Sequence, residues 1–419
     1  MKALWLIAAL SAWAAALTIQ PRDADWVILV GGDVDGYLSP CGCSKPMSGG
    51  IRRRATAFRA FRNGDRTLVL ENGGLVAGQE RQDHLKAEAL AEALKLMGAD
   101  AINLGPSEAR LGVGLVLAAR QRSGERFLST SLRPSPTNEV AQFLEKGPFL
   151  VGGASSSPES VALPLGESSV SLEDSVSRLA GDARARGLAP ILMLQGNRER
   201  AVSTASKFPE LALIVYRSAG APPDSLERVG NTAIATPGEK GLHFLRLGFR
   251  DGIVTEYRAV RLDPTFADDP DVSRAYKSYL VAVDRERLLD KLPRVRREKF
   301  SGNAACGKCH PASYAVWKES AHSRALKTLE RDGHGRDPDC VGCHVVGLDS
   351  LFGFRSRAKT PNLTDVGCES CHGPGAAHSA SPYKVKMPRV GEKSCEPCHN
   401  PDHSPTFDFA VYWPKIAHQ

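Results

Sequence analysis

Four times the chain reads Cys-x-x-Cys-His: "CGKCH" from Cys306, "CVGCH" from Cys340, "CESCH" from Cys368 and "CEPCH" from Cys395. With 10 cysteines and 11 histidines in 419 residues, roughly 0.006 copies are expected by chance, so the repetition has a chemical cause. Two thiols at this spacing form thioethers to the vinyl groups of one haem, and the adjoining histidine is held beneath the iron as an axial ligand. The attachment residues are then Cys306, Cys309, Cys340, Cys343, Cys368, Cys371, Cys395 and Cys398, with His310, His344, His372 and His399 as proximal ligands. The expected cofactors are four covalently attached c-type haems. Two tetrahedral zinc sites of four thiolates each are the competing reading. They give no reason for a histidine after every pair, nor for the surplus of histidines nearby, and a disulfide framework fails on the same point.

The surplus histidines are informative. Only His84 and His243 precede residue 300, and both read as structural, on a helix surface and in a hairpin strand. Five further histidines are left near the motifs, namely His322, His334, His378, His403 and His418. They are candidates for the opposite faces of the haems. An iron held by two histidines suits electron transfer, because it changes charge without binding or releasing anything, whereas an open face admits a small ligand.

The stretches "CGKCHPASYAVWKESAHSRAL", "CVGCHVVG" and "VGCESCHGPGAAH" resemble the tetrahaem cytochrome c-554 family, which passes electrons from hydroxylamine oxidation in ammonia-oxidising bacteria. The resemblance covers residues 301–419 and implies a mainly α and loop tetrahaem domain. By matching position it implies His322, His378 and His418 as distal ligands. It also implies that the haem on Cys340, Cys343 and His344 can lack one, with His334 and His403 as weaker alternatives. The segment is poor in apolar residues, so the porphyrins must supply most of its interior. It holds 14 Lys plus Arg against 12 Asp plus Glu, a net of +2, which the haem propionates would turn acidic.

Upstream the pattern is α/β. "DWVILVGG" and "RTLVLENGG" read as buried strands, and "DHLKAEALAEALKLMGADAINLG" as an amphipathic helix, a stop at Gly98 and a third strand. "SVSLEDSVSRLAGDARARG" into "PILML" repeats helix then strand, and "GLHFLRLGFRDGIVTEYRAVRL" reads as a hairpin turned at Asp251-Gly252. The pattern predicts a mixed sheet with helices on both faces. The order of pieces over residues 24–262 resembles the calcineurin-like metallophosphatases of the exported nucleotidase type, which implies a sandwich of mixed sheets with flanking helices and a two-metal centre. The metal ligands are largely replaced. Asp33 is kept, but Asp35 stands where a histidine belongs, Gly74 replaces the bridging aspartate, and Pro106 and Ser107 replace Asn and His before Glu108. The later loops "LQGN" and "YRSAG" carry no histidine. A two-metal hydrolase needs those ligands to acidify a bridging water, so the expectation is a pseudo-enzyme.

Residues 1–16 combine an early Lys2, an apolar run and small-residue triplets, as a secretory signal peptide does. A retained anchor is the alternative, and no retained membrane span is expected. Residues 263–300 read as a helical basic linker with Asp271 as helix cap and Val272, Tyr276, Leu280 and Val283 on one face. The formal charge of +7 is scattered and lacks interleaved aromatics, so no nucleic-acid partner is expected. Arg52, Arg53 and Arg54 open a helix, where the dipole disfavours cations, so they are expected to meet acid groups, with haem propionates or a partner's carboxylates as candidates. Cys41 and Cys43 lack the spacing for a haem; they read as a structural disulfide or inert turn, a redox pair or a metal-binding pair. The sequence therefore predicts a periplasmic or extracellular electron carrier that meets redox partner proteins, other cytochromes or copies of itself. A redox enzyme acting on a small nitrogen or oxygen species at an open haem, and an active phosphohydrolase with a cytochrome appendage, are the alternatives.

Overall fold

The protein is described here by a computed structural model covering residues 25–40, 47–134 and 140–418. The signal-peptide reading of residues 1–16 and the Cys41, Cys43 pair lie outside the described residues. Among them the strands are β1 (Trp26–Gly31), β2 (Thr67–Glu71), β3 (Ala101–Asn103), β4 (Phe127–Leu128), β5 (Phe143–Lys146), β6 (Phe149–Ser155), β7 (Ala189–Gln195), β8 (Leu213–Val215), β9 (Glu227–Val229), β10 (Thr232–Ala235), β11 (His243–Arg250) and β12 (Ile253–Arg261).

They form two six-stranded mixed sheets, ordered β12-β11-β1-β2-β3-β4 and β5-β6-β7-β8-β10-β9. In β1 the alternation is plain. Ile28 and Val30 join Phe149, Val151, Ile191 and Met193 in the core between the sheets, while Val27 and Leu29 face a helical layer. Strands covered on both sides become continuous apolar runs, which is why "WVILVG" and "ILML" show no polar alternation. The first sheet carries α1 (Ile51–Phe61), α2 (Arg81–Leu96) and the helix Pro270–Arg285 on its outer face. The second carries the helices Leu172–Arg186 and Arg198–Lys207. The architecture is thus helix, sheet, sheet, helix. Instead of one sheet with helices on both faces, each of two sheets has helices on one face and the other sheet on its inner face.

The Asp251-Gly252 turn joins β11 and β12 with φ of 51° and 83°, the left-handed pair that a two-residue type I′ hairpin requires. The expected cap at Asp271 is corrected to Asp269, whose Oδ1 accepts from the amides of Asp271 and Val272, both at 2.9 Å. Pro270 explains the shift. A proline is suited to the first helical position, where its missing N–H costs nothing, and this sets the cap one residue before it.

From residue 301 onward the chain forms short helices joined by loops. A small core of Leu289, Leu326, Val341, Val345, Val346, Phe354 and Leu363 surrounds the second Cys-x-x-Cys-His motif. Among the described residues from 370 to 418 no apolar side chain is buried. The two halves are clasped by polar contacts: Lys86 Nζ to Asp339 at 2.5 Å, Gln82 Nε2 to Asp337 at 2.8 Å, Arg336 Nε to Asp284 at 2.8 Å and Lys240 Nζ to Asp402 at 2.5 Å. No helix of the described residues is long and apolar enough to cross a membrane.

Candidate functional site

Each motif begins on a single helical turn, which puts residues three apart on one side. Cys306 and Cys309 lie in the helix Asn303–Cys309, and Cys368 opens the helix Cys368–His372. Cys340 lies in the helix Pro338–Val341, capped by Asp337, whose side chain accepts from the Asp339 amide at 3.2 Å. Cys395 follows the turn Glu392–Ser394.

Three histidine pairs face one another. His310 and His378 have ring centroids 6.3 Å apart, His322 and His399 6.2 Å, and His372 and His418 5.9 Å. Two imidazoles that bind one metal ion from opposite sides, each at about 2.0–2.1 Å as in zinc sites, hold their ring centres ~6 Å apart. The three pairs have that spacing, and each joins one motif histidine to one outside the motifs. His344 is different. Its Nδ1 lies 2.8 Å from the Ala325 carbonyl, and among the described residues no second histidine ring pairs with it.

Several rings are oriented from behind. His378 Nδ1 donates to the Val385 carbonyl at 2.7 Å, His418 Nδ1 to the Ile416 carbonyl at 2.8 Å, and His372 Nδ1 lies 3.4 Å from the Pro388 carbonyl. His399 Nδ1 lies 3.2 Å from Ser404 Oγ. An imidazole fixed through Nδ1 presents Nε2 to a metal. Burial also lowers the proton affinity of His322, His344 and His399, with the neighbouring His399 and His344 adding to the effect at His322. These histidines are thereby kept in the neutral form that binds iron. These residues fit haem.

The sulfurs link the motifs in space. Cys306 lies beside Cys368, Cys343 beside Cys398, and Cys371 near Cys395. The motifs therefore follow one another in the order first, third, fourth, second. Of the weaker distal candidates, His334 has both ring nitrogens 3.4 Å from Tyr276 Oη and Nδ1 3.7 Å from Cys340 Sγ. His334, Asp337 and Cys340 hold their ligand atoms within 4.8 Å of one another. His403 has its backbone amide on Asn400 Oδ1 at 3.0 Å and no ring contact.

The second constellation lies at the carboxyl end of β1. Asp33 is 1% exposed, and Arg217 brings its Nε 2.5 Å from Asp33 Oδ1 and its Nη2 3.4 Å from Asp35. Burial still pushes the Asp33 carboxyl well up, with Arg217 opposing. Gly74 has φ of 69°, and a Cβ there would collide with the Asp33 carboxylate. Glu108 is consumed locally: its carboxylate accepts from Leu75 N at 2.7 Å, Ser107 Oγ at 2.9 Å and Gly105 N at 3.0 Å. Gln195 of "LQGN" donates to the Asn72 carbonyl.

Two of the three arginines that open α1 meet acid groups, as expected, and these belong to the chain itself. Arg52 pairs with Asp268 at 2.7 Å, Arg54 with buried Glu71 at 3.3 Å, and Arg53 donates to the Met47 carbonyl at 2.8 Å. Sequence reasoning missed the ring-orienting carbonyls of Ala325, Val385, Pro388 and Ile416, because a backbone acceptor leaves no mark on residue type. It also passed over Arg217, although the replaced histidine loop "YRSAG" contains it.

Residues 305–373 match the family described as "Cytochrome c554 and c-prime". Cytochrome c-554 of Nitrosomonas europaea is 38% identical over 91 residues, which is 18% of this chain and 39% of that protein. The matched stretch thus spans well under half of the relative's length, and it supports covalently bound c-type haem in this part of the chain. Over the rest, the fold is similar to sulfate thiohydrolase SoxB from Thermus thermophilus, with a TM-score of 0.53, 16% identity and coverage of 70% of this chain and 69% of that one. It is similar also to the Haemophilus influenzae NAD nucleotidase, with a TM-score of 0.53, 14% identity and coverage of 67% and 64%. A 5'-nucleotidase precursor from Thermus thermophilus gives 0.52, 15%, 74% and 68%. The chain therefore joins a nucleotidase-like fold to a multihaem cytochrome segment.

Proposed function

We propose that this chain is an exported c-type cytochrome that carries electrons along four covalently bound haems, with the nucleotidase-like part as a scaffold without a hydrolytic centre. The observation that carries this reading is the set of three facing pairs, His310 with His378, His322 with His399 and His372 with His418. Cys306, Cys309, His310 and His378 would hold the first haem, Cys368, Cys371, His372 and His418 the third, and Cys395, Cys398, His399 and His322 the fourth. Cys340, Cys343 and His344 would hold the second, with no second histidine ring facing His344 among the described residues.

When bound, the irons supply reversible one-electron chemistry. The protein's part would be to hold two imidazoles for each of three irons, four of the six steadied from behind through Nδ1, so that little rearranges as the charge changes. The neighbouring cysteines support electron passage between the sites in the order first, third, fourth, second. The leader at residues 1–16 supports a periplasmic or extracellular location, and redox proteins, other cytochromes or further copies of the chain are the partners. The boundaries proposed are 24–262 for the nucleotidase-like domain, 263–300 for the linker and 301–419 for the tetrahaem domain.

The unpaired His344 favours a second reading, in which the open face of the second haem takes a small nitrogen or oxygen species. A working phosphohydrolase is disfavoured by Arg217, which puts a cation where an ion would bind Asp33. Intact mass and spectropotentiometric titration test the proposal. Four haems and four reversible one-electron steps per chain are expected; fewer haems, or phosphohydrolase turnover, would contradict it.

A further inference from the structure

The segment Ser381–Ser394, "SPYKVKMPRVGEKS", leaves the helix Ala376–Ala380 and runs outside the haem sites to the fourth motif. Pro382 to Lys386, Pro388 and Arg389 are exposed, and Tyr383 is 92% exposed. Between 383 and 393 it carries four cations, Lys384, Lys386, Arg389 and Lys393, against the single carboxylate of Glu392, a net of +3. None of the four cations forms an ion pair among the described residues.

The same loop reaches two histidines by its backbone. The Val385 carbonyl accepts from His378 Nδ1 at 2.7 Å, and the Pro388 carbonyl lies 3.4 Å from His372 Nδ1. His378 faces His310 of the first motif, and His372 belongs to the third. One exposed basic loop thus lies behind ligands of two sites. These sites are at the end of the order remote from the second motif, which is clasped by Lys86 and Gln82 of α2. A group bound to this loop is separated from an iron ligand by one hydrogen bond.

We infer that Tyr383, Lys384, Lys386 and Arg389 form the docking surface for an acidic redox protein, which exchanges electrons with the first and third haems. The inference rests on the electron-carrier reading of the preceding subsection. Opposite surface charge steers encounter and sets the association rate, and an exposed tyrosine among cations is the kind of anchor that interfaces use. The step is a one-electron exchange: the partner's reduced centre is oxidised by one electron and one ferric haem becomes ferrous, with no proton or bond transferred.

The test uses the haem-loaded full chain and stopped-flow reduction by two donors, reduced plant-type ferredoxin as an acidic protein and photogenerated lumiflavin semiquinone as a small neutral one. K384E/K386E/R389E is expected to slow ferredoxin about tenfold or more at low salt. The difference should vanish near 1 M salt, where the Debye length falls to about 3 Å. The lumiflavin rate should stay unchanged, which also establishes that the variant is folded. A basic mitochondrial cytochrome c, used as oxidant, should react faster with the variant than with the wild type. An equal ferredoxin rate in variant and wild type, a salt-independent wild-type rate, or no reduction by ferredoxin where lumiflavin succeeds would overturn the docking surface. Failure of lumiflavin to reduce the wild type would overturn the electron-carrier reading with it.

Discussion

Arg217 and Asp33 form an ion pair, Nε to Oδ1 at 2.5 Å, beyond the carboxyl end of β1. A guanidinium cannot acidify a water as a metal does, so on the proposed reading the cleft lacks hydrolytic chemistry. At Gly74 a Cβ would collide with the Asp33 carboxylate, so no side chain fits there. With Mn²⁺ and a nucleoside monophosphate supplied, neither the wild type nor R217A should release phosphate. Catalytic phosphate release from either would show that the remaining ligands suffice.

Arg54 and Glu71 are each 1% exposed and face each other at 3.3 Å. Burial pushes the Glu71 carboxyl up, and Arg54 opposes this. A carboxyl raised on folding keeps its proton to higher pH than the unfolded chain does, so its contribution is greatest at low pH. That contribution falls as pH rises from the unfolded value of about 4.3 through the raised folded value. R54M removes the opposing charge. It should cost about 3–5 kcal/mol near neutral pH and less near pH 4, while R54M/E71L recovers most of the loss. Denaturant melts of the three proteins at both pH values would check this, and a pH-independent loss would refute the ionic account.

The distal assignments give a spectroscopic pattern. H378A, H322A and H418A should each convert one low-spin iron to high-spin, on the first, fourth and third haems respectively. H334A and H403A should leave the spin states as they are, since His334 is engaged by Tyr276 and His403 faces no motif histidine. Magnetic circular dichroism of the ferric proteins reads this out. A spin change in H334A or H403A would move the sixth ligand to that residue.

No apolar side chain is buried among the described residues from 370 to 418, whereas the second motif has its own core around Leu326, Val341 and Phe354. Without haem, the last 50 or so residues lack the apolar burial that offsets chain entropy. Hydrogen exchange on protein made without haem attachment should find protection over β1, β2 and β7 and none beyond residue 370. Protected amides there would mean that the porphyrins are not the interior of this segment.

Much of this architecture is legible in residue patterns. The four motifs single out eight cysteines and four histidines by their spacing, and buried strands such as "WVILVG" are legible because both faces of β1 are covered. The Asp251-Gly252 turn is legible because few residue pairs tolerate two positive φ values in succession. The stacking of two sheets is not, since an apolar run has the same appearance against a helix or a second sheet. The pairing of His322 with the motif 77 residues downstream, rather than with its nearer neighbours, is a property of the folded path. The Asp269 cap shows how one proline moves a helix start that acidic residues alone leave open between two positions.

On the proposed ligation three irons have two histidines each and the iron on His344 has one. Electron paramagnetic resonance of the fully oxidised, haem-loaded protein, integrated against a spin standard, tests this most directly. Three low-spin and one high-spin ferric iron per chain are predicted. Four low-spin irons would contradict the open face at His344, and more than one high-spin iron would contradict the pairing of His310 with His378, His322 with His399, or His372 with His418.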